Sequence, residues 1–318
     1  QGLTAGEIIT TGSYAGALDV PLATPLTITF GDLGKLEVTL IPVVKGNCYG
    51  YGAEEITDVL VNDCRVRVIG VGALCEGTAM RRRGVACDLM LLGGIAPQQY
   101  HIALHNDIII SIFRPECALA YEELCAAEGR VGRIQIKIET GMNRLGVRPG
   151  EDLAVLLTTL AACPHLSVCG VYSHFATATN CVNDAFTIEQ HDCFMRGLRQ
   201  IEAAGIRAQY VHCCNSAAVT WFKEAFHNSV RVGGILYGHL VMEDGVEPVD
   251  IQEIITLRAY ITNLHTMPAG ESIGYPQKFR SGTDLQLATL SVGFADGIPV
   301  DYARGQGPIL VHGRRTRF

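Results

Sequence analysis

The chain has 318 residues, 48% hydrophobic and 18% charged, which suits a globular protein with one large domain or two ordinary ones. A net charge of −7 and a pI near 5.8 exclude nucleic acid or an anionic membrane as the main partner. No apolar run approaches the roughly 20 residues of a membrane-spanning helix, and the start Gln1-Gly2-Leu3-Thr4 lacks the basic and apolar regions of a signal peptide.

Residues 1–37 carry Thr, Gly and Pro at positions that break every pattern, and they read as an irregular segment contributing to a β domain. From there strand-like and helix-like runs alternate. Strands are predicted at 39–44, 68–74, 88–94, 108–113, 134–139, 168–175, 209–213 and 230–237. Helical patterns lie near 54–62, 76–83, 97–105, 116–127, 151–162, 185–204 and 215–225; in the longest, Phe194, Leu198 and Ile201 recur at helical spacing. Eight strands with intervening helices over about 200 residues predict an α/β protein whose residues 38–242 form a (β/α)8 TIM-type barrel. Glu243-Asp244-Gly245-Val246-Glu247-Pro248 then reads as a linker. Residues 243–318 hold short β-like runs at 254–264, 285–292 and 308–312, predicting a smaller, mostly β C-terminal domain. It stops at Arg314-Arg315-Thr316-Arg317-Phe318, just after a strand-like run, and so reads as incomplete. The twelve cysteines are scattered, with no Cys-x-x-Cys pair and no zinc spacing, which predicts a reducing, cytoplasmic compartment and no metal.

Barrel enzymes place their chemistry at the C-terminal ends of the strands. The first of those ends is Lys45, where the apolar run Val38–Val44 stops abruptly. A buried lysine has a lowered pKa and can form a Schiff base or act as a base; a lysine that merely marks a strand end gives the same pattern. In the fifth strand Gln135, Lys137 and Glu139 alternate onto one face, as an inward site or as the solvent face of an antiparallel strand. Arg144 follows closely and could bind a carboxylate. The sixth strand ends in Tyr172-Ser173-His174-Phe175, the seventh in His212-Cys213-Cys214-Asn215-Ser216, and the eighth carries Arg231 before Gly233-Gly234. Ser216 at a helix start and the glycine pair suit a phosphate held by the loops after strands seven and eight. With a lysine across the mouth, that points to pyridoxal 5′-phosphate, with Arg231 facing the pyridine nitrogen.

The segment Val43-Val44-Lys45-Gly46-Asn47-Cys48-Tyr49-Gly50-Tyr51-Gly52 resembles the lysine motif of the alanine racemase family. Lys137 to Val147, Ser173-His174-Phe175-Ala176, Asn215-Ser216-Ala217-Ala218, Arg231-Val232-Gly233, Tyr237-Gly238, Gly274-Tyr275 and Gly293-Phe294-Ala295-Asp296-Gly297 follow in family order, so the resemblance spans about residues 38–313. It implies a fold-type III pyridoxal-phosphate enzyme working as a head-to-tail homodimer with shared sites. Lys45 would bind the cofactor covalently and act as one base. Tyr275, reaching the partner's site, would act as the opposite-face base. Arg231 would hydrogen-bond the pyridine nitrogen, and Arg144 would bind the substrate carboxylate. Tyr49, Ser216, Gly233 and Gly234 would contact the phosphate. His174 would lie against the ring, His212 would support Tyr275, and Lys137, carbamylated in many relatives, would orient the arginine. Without the resemblance Tyr275 reads as a β-domain core residue and each histidine as a satisfied core residue. Three departures stand out: Phe294 replaces the usual tyrosine, Gly46 the usual alanine, and Glu139 the usual aspartate. The implied reaction is racemisation of alanine, with D-alanine feeding cell-wall synthesis. The alternatives are a serine or broad-specificity racemase, a fold-type III decarboxylase, and, from another class, a non-catalytic cofactor-binding barrel regulator.

Overall fold

The computed structural model describes residues 8–11, 26–29, 35–180, 185–240, 242–243, 251–254, 256–275, 277, 279–302 and 307–317. They fall into two compact units, Leu18–Ile251 and Gln1–Ala17 with Gln252–Phe318.

The larger unit is built on β3 (Lys35–Pro42), β4 (Val68–Val71), β5 (Asp88–Leu91), β6 (Ile108–Ile112), β7 (Gly132–Lys137), β8 (Leu166–Tyr172), β9 (Tyr210–His212) and β10 (Ser229–Val232). β4 to β9 pair in sequence order as one parallel sheet, and β10 pairs in parallel with β3. Two thin seams complete the circuit. Val43 makes a parallel bridge to Gly70, and the Arg231 N–H donates to the Cys214 carbonyl at 3.1 Å. The expected eight-stranded barrel is therefore present, and Lys45 and Arg231 sit at or beside its two loosest joints. Helices Leu74–Arg82, Tyr100–His105, Pro115–Glu128, Glu151–Ala161, Ala185–Ala203 and Ser216–Trp221 alternate with the strands.

Strands covered on both faces must be apolar throughout, and β4 and β6 are buried at every position. Inside the barrel Ile41, Val68, Met90, Ile109, Cys169 and Tyr210 form a plug with one residue from each of six strands. Beside the plug, the Tyr210 hydroxyl and Arg133 both reach Asp88, each at 2.7 Å. Between strands and helices a second, larger cluster includes Val71, Leu91, Ile110, Ile134, Leu156 and Phe194. A register shift between the Ile134 and Gln135 pairings of β7 with β8 adjusts the alternation just before the site.

The structure shortens several predicted strands. β4, β5, β7 and β8 end two or more residues early because their apolar runs continue past the last ladder bond into the loops that carry the site. The predicted strand 230–237 is two elements, β10 and a 3-10 turn Gly234–Tyr237. There a Cβ on Gly234 would lie 2.6 Å from the His239 carbonyl oxygen, so only glycine allows the bend. Two strands went unpredicted in the N-terminal segment: β1 (Ile8–Thr11), and β2 (Leu26–Thr29), which pairs antiparallel with β3.

In the smaller unit β1, β11 (Leu257–Met267) and β14 (Leu285–Leu290) form an antiparallel sheet in the order β1-β11-β14. Two hairpins accompany it: β12 (Ser272–Ile273) with β13 (Phe279–Arg280), and β15 (Pro308–Val311) with β16 (Arg314–Arg317). The run read as trailing a strand is itself the strand β16, turned back at Gly313 with φ +72°. The described core of this unit is thin, with Ala259, Ile261, Met267 and Ile309 its buried hydrophobic residues.

Candidate active site

The lysine motif folds into an unusual turn. Gly46, Asn47, Cys48 and Tyr49 all have φ between +54° and +62°, a left-handed run immediately after Lys45. For L-residues this costs roughly 1–2 kcal/mol each, so the surroundings must hold it. Glu76 is the main clamp: its Oε1 accepts from the Gly46 N–H at 2.6 Å, and its Oε2 from the N–H groups of Gly72 and Ala73 at 2.9 and 3.0 Å. The Asn47 Oδ1 accepts from the Ala53 N–H at 2.8 Å, and the Cys48 N–H donates to the Val44 carbonyl at 3.0 Å. Lys45 thereby stands exposed at the rim, its Nζ 5.6 Å from the Tyr49 ring centroid. Within its own chain Lys45 is thus exposed, where the strand pattern allowed a buried lysine.

Lys45 borders a cavity of about 300 Å³ that also brings together Tyr49, Lys137, Arg144, His174, Ser216, Arg231 and Gly233. Among the described lining residues there are four cationic side chains and no carboxylate. A larger cavity of about 730 Å³ lies between helices Glu151–Ala161 and Ala185–Ala203. It has no histidine, cysteine, lysine or carboxylate among its described lining residues, so chemistry favours the smaller one.

Arg231 organises the inner wall. It is 3% exposed, and its two terminal nitrogens hydrogen-bond to the surrounding wall. One contacts His212 Nδ1 and donates to the His212 carbonyl at 3.2 Å. The other donates to the carbonyls of Ser173 and Cys213 at 2.7 and 3.1 Å and to His174 Nδ1 at 3.1 Å. Both histidines accept at Nδ1 and so carry their proton on Nε2. Burial and the Arg231 charge push both well below the usual imidazole value, which keeps them neutral.

The two histidines then separate. His174 is half-buried and lines the cavity. His212 is fully buried, stacked 5.2 Å from the Tyr172 ring, and does not line it. Within this chain His212 contacts Arg231 and Tyr172, and its Nε2 has no partner among the described residues.

Lys137 is the buried lysine of the site. It is 2% exposed and sits 4.4 Å over the Tyr172 ring. Burial first, then the charges of Arg231 and Arg144, pull its pKa down to about 7. Glu139 is also inward: burial raises its pKa, but N–H groups from Asn143, Gly141 and Arg144 outweigh that and hold it below the usual value. Its carboxylate caps the loop that carries Arg144. A Cβ on Gly146 in that loop would lie 2.5 Å from the Glu139 backbone nitrogen, so the loop closes only with glycine there.

On the far side the Gly233 N–H donates to Ser216 Oγ at 2.9 Å, and a Cβ on Gly233 would collide with the Tyr49 hydroxyl. The hydroxyls of Ser216 and Tyr49 therefore converge beside the Gly233 backbone, where the loops after β9 and β10 meet the lysine turn. Gly234 does not line the cavity. Tyr275 belongs to the smaller unit, in the β12–β13 connection, and is 99% exposed; it is not a core tyrosine. Phe294, 62% exposed, opens a 3-10 turn in the same unit.

Two residues went unnoticed in the sequence. Glu76 is a glutamate in the first turn of a helix and lacks the Ser or Thr N-cap that would have marked it. Tyr172 reads in sequence only as a strand end, yet it is an organising ring: its hydroxyl bonds with Ser111 Oγ at 2.8 Å and donates to the Leu92 carbonyl at 3.0 Å, with Lys137 and Arg231 over its faces.

Residues 33–241 match the family described as alanine racemase, N-terminal domain, and residues 254–318 that described as alanine racemase, C-terminal domain. An alanine racemase of Desulforamulus reducens is 34% identical over 283 residues, covering 87% of this chain and 75% of the relative. One from Halothermothrix orenii is 32% identical, covering 88% and 73%. Among solved structures, alanine racemase of Clostridium difficile 630 superimposes with a TM-score of 0.80 at 25% identity, over 87% of this chain and 72% of that one. The Bacillus anthracis enzyme with bound L-Ala-P gives 0.77 at 28% identity, over 88% and 72%. Among the described residues no helix is long and apolar enough to cross a membrane. Both domain matches and the identity to these relatives establish that the chain belongs to the alanine racemase family.

Proposed function

We propose that this chain is a pyridoxal-phosphate-dependent racemase that interconverts L- and D-alanine, with Lys45 and the Tyr275 of a second copy as its two bases. The observation that carries this reading is the cavity itself, where a rim lysine faces two guanidinium groups, Arg144 and Arg231, with no carboxylate among the described lining. Such a site favours two anions at once, a phosphate and an α-carboxylate.

The residues present fit the cofactor. Ser216, the Gly233 backbone and the Tyr49 hydroxyl form a cradle that even one methyl on Gly233 would fill. Arg231, whose terminal nitrogens are already spent, keeps Nε–H for a ring nitrogen. Bound through Lys45, pyridoxal 5′-phosphate would supply the electron sink that acidifies the substrate α-C–H. A guanidinium donates a hydrogen bond without surrendering its proton, so Arg231 holds the ring without protonating it. Its own pKa is lowered by burial, and two neutral imidazoles fix its plane without neutralising it. Arg144 receives the carboxylate. Lys137, an amine titrating near neutrality beside two guanidinium groups, is suited to react with carbon dioxide. Its nitrogen would bond to the carbon and lose a proton, leaving an anionic carbamate to steady Arg144.

Racemisation needs an acid–base group on each face of the α-carbon, because the proton leaves one face and returns on the other. Lys45 supplies one. Tyr275, fully exposed within its own chain, supplies the other to a partner copy. Tyr260, Phe279 and Phe294 are each more than half exposed in the same unit, apolar area consistent with a surface that a second copy covers. All eleven described cysteines are free, which fits a reducing, cytoplasmic compartment.

The test is α-hydrogen exchange of L-alanine, L-serine and L-lysine in deuterated buffer with chiral analysis of the products. The proposal requires deuterated D-alanine to form fastest, and Lys45→Ala to abolish it. Cofactor binding without exchange would leave a non-catalytic barrel and overturn it.

A further inference from the structure

Behind the cation cluster lies a second group of side chains that the catalytic reading does not use. His191 projects from helix Ala185–Ala203, Cys213 follows β9, and His227 precedes β10. One ring nitrogen of each histidine and the Cys213 sulfur all lie within 4.8 Å of one another. None of the three lines the Lys45 cavity. Their separation in sequence, 22 and 14 residues, explains why no local spacing revealed them.

Two observations make this more than a chance cluster. The Nε2 atoms of both His191 and His227 are buried and have no hydrogen-bond partner, a state that costs about 1–3 kcal/mol per group. The rings are held edge-on by aromatic neighbours: His191 by Phe222 at 5.1 Å, His227 by Phe194 at 5.2 Å, with 5.4 Å between the two imidazole centroids. Apolar walls with unpaired imidazole nitrogens are costly empty and favourable around a cation.

We propose that His191, Cys213 and His227 form a zinc site that ties helix Ala185–Ala203 to the strand ends of β9 and β10. Two imidazole nitrogens and one thiolate suit a borderline-soft divalent ion, whose tetrahedral shell a water entering with the ion would complete. Tetrahedral bonds of about 2.0–2.1 Å to nitrogen and 2.3 Å to sulfur place ligand atoms about 3.3–3.6 Å apart, so the cluster closes by rotamer adjustments of about an ångström. On binding, the Cys213 thiol releases its proton to solvent as the sulfur–zinc bond forms, and it gives up its contact with the Ala225 carbonyl at 3.3 Å. That carbonyl keeps a donor, since the Cys214 thiol also reaches it at 3.2 Å. Cys213 adjoins His212, which positions Arg231, so the ion would stiffen the wall behind the catalytic cations. The site does not depend on the catalytic reading.

The experiment uses the cofactor-loaded full chain, stripped with a chelating resin and titrated with Zn²⁺ or Co²⁺. One equivalent should bind and raise the unfolding temperature by several degrees. Co²⁺ should give a thiolate-to-metal charge-transfer band that His227→Gln and His191→Asn each weaken at least tenfold in affinity. X-ray absorption of zinc-loaded wild-type protein should show one sulfur and two imidazoles, and it needs no variant to fold. A coordination shell without imidazole or with several sulfurs, affinity unchanged in both histidine variants, or no stoichiometric binding would overturn the proposal.

Discussion

Lys45 and Lys137 show how environment rather than residue type sets the chemistry of a lysine. Lys45 is exposed on a clamped turn, whereas Lys137 is sealed against Tyr172 between two guanidinium groups and titrates near pH 7. An amine whose folded pKa lies below its unfolded value weakens the fold fully below the folded pKa, and the penalty fades as pH rises toward the unfolded value near 10.5. Stability of wild type relative to Lys137→Met should therefore be flat below about pH 7 and rise above it, by at most about 1.4 kcal/mol per pH unit. Urea unfolding of both cofactor-free proteins in carbon-dioxide-free buffer measures this; a flat difference would contradict it. Glu76 supports a second expectation at this scale. Its carboxylate satisfies three backbone N–H groups, so Glu76→Ala should cost about 2–4 kcal/mol of stability and at least tenfold in turnover. Rescue by Glu76→Gln should be partial, since an amide offers one acceptor oxygen. Lys45, Arg231 and Ser216 were legible because strand ends in a barrel converge wherever they lie in sequence. Glu76 and Tyr172 were not: a capping glutamate and a strand-end tyrosine occur in countless folds without function.

Among the elements, the left-handed run Gly46–Tyr49 sets where the lysine stands. Gly46 has φ +62° with open space where a Cβ would project, so Gly46→Ala meets strain but no clash. It should cost about 1 kcal/mol and leave turnover within a few fold. Thermal unfolding and initial rates check it; a loss above tenfold would mean the turn is tuned to glycine. Gly233→Ala should behave otherwise, because the added methyl meets the Tyr49 hydroxyl inside the cradle. Cofactor affinity should fall at least tenfold by absorbance titration, with little change in unfolding of the cofactor-free protein. The order of strands and helices was readable from hydrophobic period alone, since each apolar run is buried on both faces. Their ends were not, because loop residues around a site are as small and apolar as the strands they extend. Nor did period distinguish His174 from His212: both follow apolar runs, and only the packing around Arg231 leaves one in the cavity and seals the other.

At the scale of the whole molecule, the barrel was evident from its repeating pattern, while the β unit showed only its longer strands. β1 comes from a segment with no readable pattern and joins β11, a pairing between residues about 250 positions apart that no local window detects. The thin described core of that unit and the full exposure of Tyr275 frame the central claim, that one working site needs two copies of the chain. Lys45→Ala and Tyr275→Phe should each remove nearly all racemisation of L-alanine, for different reasons. Mixed under conditions that exchange subunits, the two inactive variants should recover about a quarter of wild-type activity, since half the dimers are then hybrids with one intact site of two. A mixture that exchanges subunits but stays inactive, or a Tyr275→Phe variant that racemises alone at the wild-type rate, would contradict the account.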